Sequence, residues 1–499
     1  MAPLLLGLDI GTASSKGVLA RPSGEVVATA EREHELAVPR PGWAEHDAET
    51  VWWGDLLAIC AELLPQSEEE IAAVCVSGIG PCLLPVDGDG RALRPAILYG
   101  IDTRATAEID ELNRRYGAEA ILARGGSPLT TQAVGPKLLW LRHNEPEVYS
   151  NARRFLMASS FAVERLTGEY VLDHHSASQC DPLYDLHEGG WIVELAGEIA
   201  PGISLPRLLW PAEVAGEVTG AAADATGLPE GTPVAAGTVD AWAEAVSAGV
   251  REPGDTMLMY GSTMFIVEVL AEPRSHPKLW ATNGVFAGAP TLAAGMATSG
   301  ALTAWLRQIA GGLPYDELVR EAGATPPGAD GLVVLPYFAG ERTPLFDPAA
   351  RGVVCGLTLA HGRGHLYRAL LEATAYGVRH NLEAMDAAGG ALKRLVAVGG
   401  GTKGGLWTQI VSDVTGRPQE LPRQTIGASY GDALLAGIAA GVVEPEQDWS
   451  EIAETVVQGP TKGELYGHLY GVYRELYETT RPQAHALAEL QGVGTRSAP

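Results

Sequence analysis

The sequence predicts an α/β chain of two related domains, each opening with a strand–turn–strand hairpin. Three observations predict it. At 499 residues the chain exceeds what one ordinary core supports, so two large domains are expected. Apolar strand segments alternate with amphipathic helical segments, the pattern of an α/β architecture. The opening stretch LLLGLDIGTASSKGVLARPSGEVVA (residues 4–28) is echoed by DTMLMYGSTMFIVEVL (residues 255–270), each reading strand, Gly-Ser/Thr turn, strand. The pattern restarts near residue 245, which divides the chain into domains at 1–245 and 246–499.

The first apolar run delivers Asp9 into a turn holding Gly11, Thr12 and Ser14, with Lys16 in the strand that follows. A hairpin needs only a tight turn. Surplus hydroxyls and free backbone N–H groups suggest an anion, and a carboxylate beside an anion suggests a cation between them. As a plain turn residue Asp9 would need neither, and Lys16 would be a solvated edge charge. After PGWAEHDAET a helix is expected, with Trp52, Leu56, Ile59, Cys60 and Leu63 at helical spacing and Asp47 as its N-cap. IAAVCVSGIG and PAILYGID read as buried strands ending in turns. Asp173, Asp181 and Asp185, near His174 and His175, lack the i, i+4 spacing of helical metal ligands and read as a solvated loop. Asp240, in AAGTVDAWAEAVSAGV, closes a strand and starts a small-residue helix, a placement that suits an N-cap or a carboxylate facing a ligand.

In the second half, LVAVGGGTKGGLWTQIVSDVTG (residues 395–416) runs from a strand through five glycines in seven residues into a helix. Such a turn lets the backbone approach a flat or phosphorylated ligand and aims a helix N-terminus at it. It is neither a P-loop nor G-x-G-x-x-G. The long irregular stretch AGERTPLFDPAARGVVCGL reads as a structural ion network around Glu341, Arg342, Asp347 and Arg351. In ELYGHLYGVYRELYE, Leu465, Leu469, Val472 and Leu476 are expected on one buried face, and the last ten residues or so read as frayed.

Composition narrows the function. The net charge of −26 argues against nucleic acid or an anionic membrane as partner, so an anion site must be locally positive. The five cysteines form no C-x-x-C pair and read as reduced, buried and cytoplasmic. No segment approaches the ~20 uninterrupted apolar residues of a membrane span, and the amino terminus lacks the basic region of a signal peptide.

Together GLDIGTASSKGVL, PGWAEHDAETVWW, LYGIDTRA, TGEYVLDHHSAS, GTPVAAGTVDAWAEAVSAGV, YGSTMF, GERTPLFDPAARGVVCGL and VGGGTKGGLWTQIVSDVTG, in that order, resemble the FGGY carbohydrate kinases over nearly the whole chain. The resemblance implies two duplicated ribonuclease H-like (actin-like ATPase) domains with a cleft between them. It implies transfer of the γ-phosphoryl group of ATP, with Mg²⁺, to a hydroxyl of a ketose or polyol. The implied enzyme is xylulokinase-like, with D-xylulose or a related pentulose foremost and another sugar, polyol or sugar acid as the alternative. Residue by residue, Asp9 resembles the carboxylate that holds Mg²⁺. Gly11, Thr12, Ser14 and Lys16 resemble the first phosphate loop, and Gly261, Ser262 and Thr263 the second. Gly300, Gly400 and Gly404 match nucleotide contacts, with Gly404 replacing a frequent Ser or Asn, so that adenine would meet mostly backbone. Asp240 matches the catalytic base.

The sugar side departs from the family. Where xylulokinases carry Gln-Met-His-Gly and glycerol kinases Gln-Arg-Glu, this chain has SGIGPCL (residues 77–83). Tyr99 stands where glycerol kinases have a pocket tryptophan. Gly80, Tyr99, Asp102 and Asp240 are the expected sugar contacts, and glycerol is disfavoured. A homodimer is left open. The competing reading is an actin- or heat-shock-chaperone-like nucleotide switch with a protein partner, which would need neither GTVDAWAEAV nor the GERTP loop.

Overall fold

Of the strand β1 (Leu4–Ile10), every residue except Asp9 is buried. A strand buried on both faces belongs inside a sheet. β1 pairs antiparallel with β2 (Ser14–Ala20) and parallel with β4 (Ile71–Gly78), while β3 (Val26–Glu33) extends the sheet beyond β2. With β5 (Val214–Glu217) and β6 (Pro233–Ala235) the order is β5-β6-β4-β1-β2-β3. Lys16 therefore lies on an interior strand, which removes the alternative of a solvated edge charge.

The computed structural model describes residues 3–460 and 463–491. The expected frayed terminus lies mostly outside the described residues. The chain forms two compact units. One comprises residues up to 252 with 269–291 and 426–450; the other comprises 253–268, 292–425 and 451 onward.

The second unit repeats the topology. Its strands are β7 (Asp255–Tyr260), β8 (Met264–Val269), β9 (Thr291–Met296), β10 (Arg394–Val398), β11 (Gln419–Pro422) and β12 (Ile452–Val456), in the order β9-β8-β7-β10-β11-β12. In both units the first strand is antiparallel to its hairpin partner and parallel to its other neighbour. In both, a second parallel pairing follows and an antiparallel strand closes that side. The duplication inferred from two short hairpins thus extends across both sheets.

The helix expected after Asp47 forms with its cap. Asp47 Oδ1 accepts from the N–H groups of Glu49 and Thr50, and a wide turn leads into α1 (Gly54–Leu63). Trp52, Leu56, Ile59, Cys60 and Leu63 are all buried against the first unit's sheet. The GERTP stretch is structural, as expected, but not through the expected ion network: Glu341 Oε1 accepts from Ala297 N, Asp347 Oδ2 accepts from Tyr477 Oη and His485 Nε2, and Arg351 Nε donates to Gln491 Oε1.

Three expectations are corrected. Asp173, Asp181 and His175 are buried, not solvated. Asp173 caps the short helix His174–Ser178 and accepts from Thr238 Oγ1. Cys355 is exposed, although the other four cysteines are buried free thiols. In the terminal helix the buried stripe is Tyr466, Leu469, Tyr470, Tyr473 and Tyr477, while Leu465 is exposed.

Candidate active site

The strand register assembles the first half of the site. Asp9 stands opposite Lys16 on β2 and opposite Ser77 on β4. Ile79 N donates to Ile10 O and Gly78 N to Thr238 O, so the ends of three parallel segments align. Ligands of open α/β sheets bind at such carboxyl ends. The aligned segment at Thr238 continues into α2 (Asp240–Ser247). Val239 is the N-cap and Asp240 the first helical residue, which corrects the cap reading; the Asp240 carboxylate accepts from Ala241 N at 2.7 Å. Glu244, one turn on, shares its helix face.

A further carboxylate escaped the sequence reading. Helix α5 (Ala428–Ala439) returns to the first unit and packs on β1, β4 and α2. Close approach is possible because Gly7 and Gly431 lack side chains. A Cβ on Gly7 would lie 1.9 Å from Ser429 O, and one on Gly431 1.9 Å from Ala243 O. α5 thereby buries Asp432 completely. Ser77 Oγ donates to Asp432 Oδ2 at 2.6 Å and lies 3.4 Å from Asp9 Oδ1, while Cys75 Sγ reaches Asp432 Oδ1 at 3.7 Å. The available signal was a single charge inside the small, apolar run ASYGDALLAGIAAG.

Four acids thus gather near one lysine. Burial, then the Asp240, Asp432 and Glu244 carboxylates, push Asp9 well above the usual carboxylate range; Lys16 pulls it back. Burial raises Asp240 to about 6, opposed by the Ala241 N–H. Burial and then Asp240 raise Glu244 to about 7, and burial foremost raises Asp432. An uncompensated acid cluster is a natural seat for a cation. Among the described residues no group of three or more His, Cys, Asp or Glu side chains is placed to hold a metal unaided. The donor set fits Mg²⁺, which takes one or two carboxylates and completes its shell with water and phosphate oxygens.

The first turn, Gly11–Ser14, is closed by Gly11 N donating to Ser14 O. Ser14 Oγ donates to Glu31 Oε1, and Lys16 Nζ lies 3.6 Å from the same oxygen. In the second unit, Gly261 N donates to Thr263 O across the corresponding turn. Helix α3 (Gly300–Ile309) starts against that turn: Ser299 N and Ala301 N donate to Ser262 O, and Gly300 N to Gly261 O. A Cβ on Gly300 would lie 2.6 Å from Gly261 O, so only glycine fits there.

The glycine-rich turn after β10 joins the same place. Gly399 has φ +91° and lies against Tyr260, and Gly401 lies against Tyr260 and Trp407. Gly400 and Gly404 face open space, the latter with φ +90°, just before α4 (Leu406–Thr415). Gly261, Ser262, Thr263, Gly300 and Gly400 therefore converge within the second unit.

The sugar-side residues separate. Gly80 packs on Val239, next to Asp240: a Cβ there would lie 2.7 Å from the Val239 side chain. Tyr99 is half-buried against the core. Asp102 is occupied elsewhere. Its oxygens accept from Ala44 N at 2.7 Å and from Arg104 Nη2 at 2.7 Å, and Arg104 also pairs with Glu45. With that carboxylate buried and fully engaged, the geometry makes Asp102 an anchor of the fold in place of the expected sugar contact.

The comparisons agree with this architecture. Residues 4–247 match the N-terminal domain of the FGGY family of carbohydrate kinases, and residues 256–440 match its C-terminal domain. A xylulose kinase of Bacillus subtilis (strain 168) is 27% identical over 501 residues, covering 97% of this chain and 98% of its own. A glycerol kinase of Trichlorobacter lovleyi (strain ATCC BAA-1151 / DSM 17278 / SZ) is 32% identical over 467 residues, covering 90% of this chain and 92% of its own. The crystal structure of xylulose kinase from Rhodospirillum rubrum superposes with a TM-score of 0.89 at 35% identity, covering 97% of this chain and all of that one. Two duplicated units, a glycine-hydroxyl turn in each, and matches to both domain models that together span most of the chain place it in the FGGY family of carbohydrate kinases, as an ATP-dependent sugar kinase.

Proposed function

We propose that the protein transfers the γ-phosphoryl group of ATP to a hydroxyl of a pentulose, D-xylulose or a close relative, in the cytosol. The observation that carries the reading is the delivery of Asp9 and Asp240 to neighbouring strand ends, with burial holding Asp240 near 6. A general base works best when its pKa lies close to the working pH, where it is ionised yet still basic. Asp240 accepts the proton of the attacking hydroxyl, and Gly80 and Tyr99 line the sugar side.

In this reading residues 1–245 carry the sugar site, the first phosphate loop and the base. Residues 246–499 carry the second phosphate loop and the adenine site. Gly11, Thr12, Ser14 and Lys16 are the first phosphate loop, and Gly261, Ser262 and Thr263 the second. Gly300, Gly400 and Gly404 meet the nucleoside. Asp9 holds Mg²⁺, which when bound neutralises phosphate charge. Phosphoryl transfer asks the protein mainly for positioning and charge neutralisation, and these residues supply both.

The test is a panel of pentuloses, hexuloses, polyols and sugar acids scored for ADP release. Stimulation by a pentulose is expected. Slow turnover indifferent to every sugar would favour the nucleotide switch.

A further inference from the structure

The first phosphate turn is held from behind by a residue outside every motif that marked the site. His34, just past the end of the first unit's hairpin, holds two carbonyls of Gly11–Ser14, those of Ala13 and Gly11. Its backbone N–H donates to Ala13 O at 3.0 Å, and its ring Nε2 lies 3.2 Å from Gly11 O. The other ring nitrogen, Nδ1, lies 2.7 Å from Asp55 Oδ2, which also accepts from Ser15 Oγ at 2.7 Å. The His34 side chain is 6% exposed and that of Asp55 14%.

A neutral imidazole has one N–H and one acceptor nitrogen. Here both nitrogens face oxygen acceptors, a carboxylate and a carbonyl. His46, edge-on to His34 with centroids 5.0 Å apart, differs: it accepts from Trp52 Nε1, and burial, then His34, push it down to about 4.

The second unit shows what such a grip does. There the carbonyls of Gly261 and Ser262 are taken by the backbone N–H groups of residues 299–301 at the start of α3. In a tight turn, carbonyls held on one side leave the N–H groups on the other, where an anion can use them. Among the described residues no helix-start N–H donates to the carbonyls of Gly11, Thr12 or Ala13. His34 does the same work with one ring nitrogen and one amide.

We infer that His34, held by Asp55 and Ser15, is a positioning residue of the first phosphate turn, keeping its carbonyls turned away from the nucleotide phosphates. The inference rests on reading Gly11–Ser14 as a phosphate turn, and the experiment separates the two. ADP and adenosine are titrated calorimetrically into the full chain, wild type, His34→Phe and His34→Gln, with thermal midpoints and the ATP and sugar KM values measured alongside. If the wild type binds adenosine as tightly as ADP, the phosphate-turn reading itself fails. If it prefers ADP, His34→Phe should weaken ADP binding and raise the ATP KM up to about tenfold, the upper scale of one hydrogen bond, with adenosine binding and the sugar KM unchanged. His34→Gln, which keeps a side-chain donor, should fall between. Unchanged ADP affinity, or equal weakening of ADP and adenosine, would overturn the role of His34. Should His34→Phe not fold, Asp55→Asn must show the same selective loss of ADP affinity for the inference to stand.

Discussion

Asp240 occupies the first helical position, where its carboxylate bonds only to the next N–H, so removing its charge disturbs little of the helix start. Asp240→Asn keeps the shape and that acceptor but cannot take a proton. Sugar phosphorylation should fall at least about 100-fold, the lower end for loss of a general base, with ATP binding and thermal midpoint retained. In the wild type, sugar-dependent kcat/KM should decline as pH drops through about 6, because the base is then protonated. A loss of about tenfold or less in the variant, with an unchanged pH profile, would show that the base lies elsewhere. Asp9, Asp240 and both turns were legible because strand-to-turn chemistry is local. Asp432 was not: it reaches the site through chain that returns some 350 residues after Ser77. Its folded pKa lies above the unfolded value of 3.8, so it takes up a proton on folding at intermediate pH. Its burial penalty is absent below 3.8 and grows as pH rises toward the folded pKa. Asp432→Asn, which can still accept from Ser77, should therefore stabilise the first unit at neutral pH by about 1 kcal/mol, and less in acid. A variant equally stable or weaker at neutral pH would show that Asp432 is held by contacts stronger than its desolvation.

At the scale of elements, the site depends on how closely α5 lies against β1 and α2. Gly7→Ala would place a methyl 1.9 Å from a carbonyl oxygen and 2.5 Å from Ala433 N, and backbone cannot rotate aside as a side chain can. The expected cost is about 3 kcal/mol, the upper end of ordinary overpacking, and it should appear as a lower first unfolding transition. An unshifted transition would mean that α5 adjusts freely. The close approach explains why α5 was hard to read: its glycines look like poor helix formers until the strand beneath them is known. The terminal helix misled for another reason. Apolar periodicity selected leucines, whereas the buried stripe is largely tyrosine. Tyr473 Oη meets Tyr337 Oη, Tyr477 Oη donates to Asp347, and Tyr466 Oη donates to Glu372. A tyrosine buries its ring wherever its hydroxyl finds a partner, and those partners lie far away in sequence.

At the scale of the whole molecule, overall similarity does not choose the sugar. Relatives named xylulose kinase and glycerol kinase both match over most of their length, at 27% and 32% identity in two cases. In the proposed reading the choice falls to the few residues beside Asp240. There the chain offers Ser77–Leu83, in which Ile79, Cys82 and Leu83 are buried and Gly80 lies against Val239. Ser77 is turned toward Asp432 and Asp9, and Asp102 is held by Ala44 and Arg104. A three-carbon polyol needs a polar partner for nearly every hydroxyl, since it has little apolar surface to bury. A larger ketose can spread its contacts over more of the wall. Pockets that discriminate by hydrogen bonding reach large ratios only where polar groups are built to receive them, and this wall is not so built for glycerol. The kcat/KM for the best pentulose should therefore exceed that for glycerol by at least about 100-fold. The measurement is a coupled ADP assay at saturating ATP with both substrates in parallel. Comparable values would place the polyol grip on residues outside 77–102 and overturn this assignment of the sugar wall.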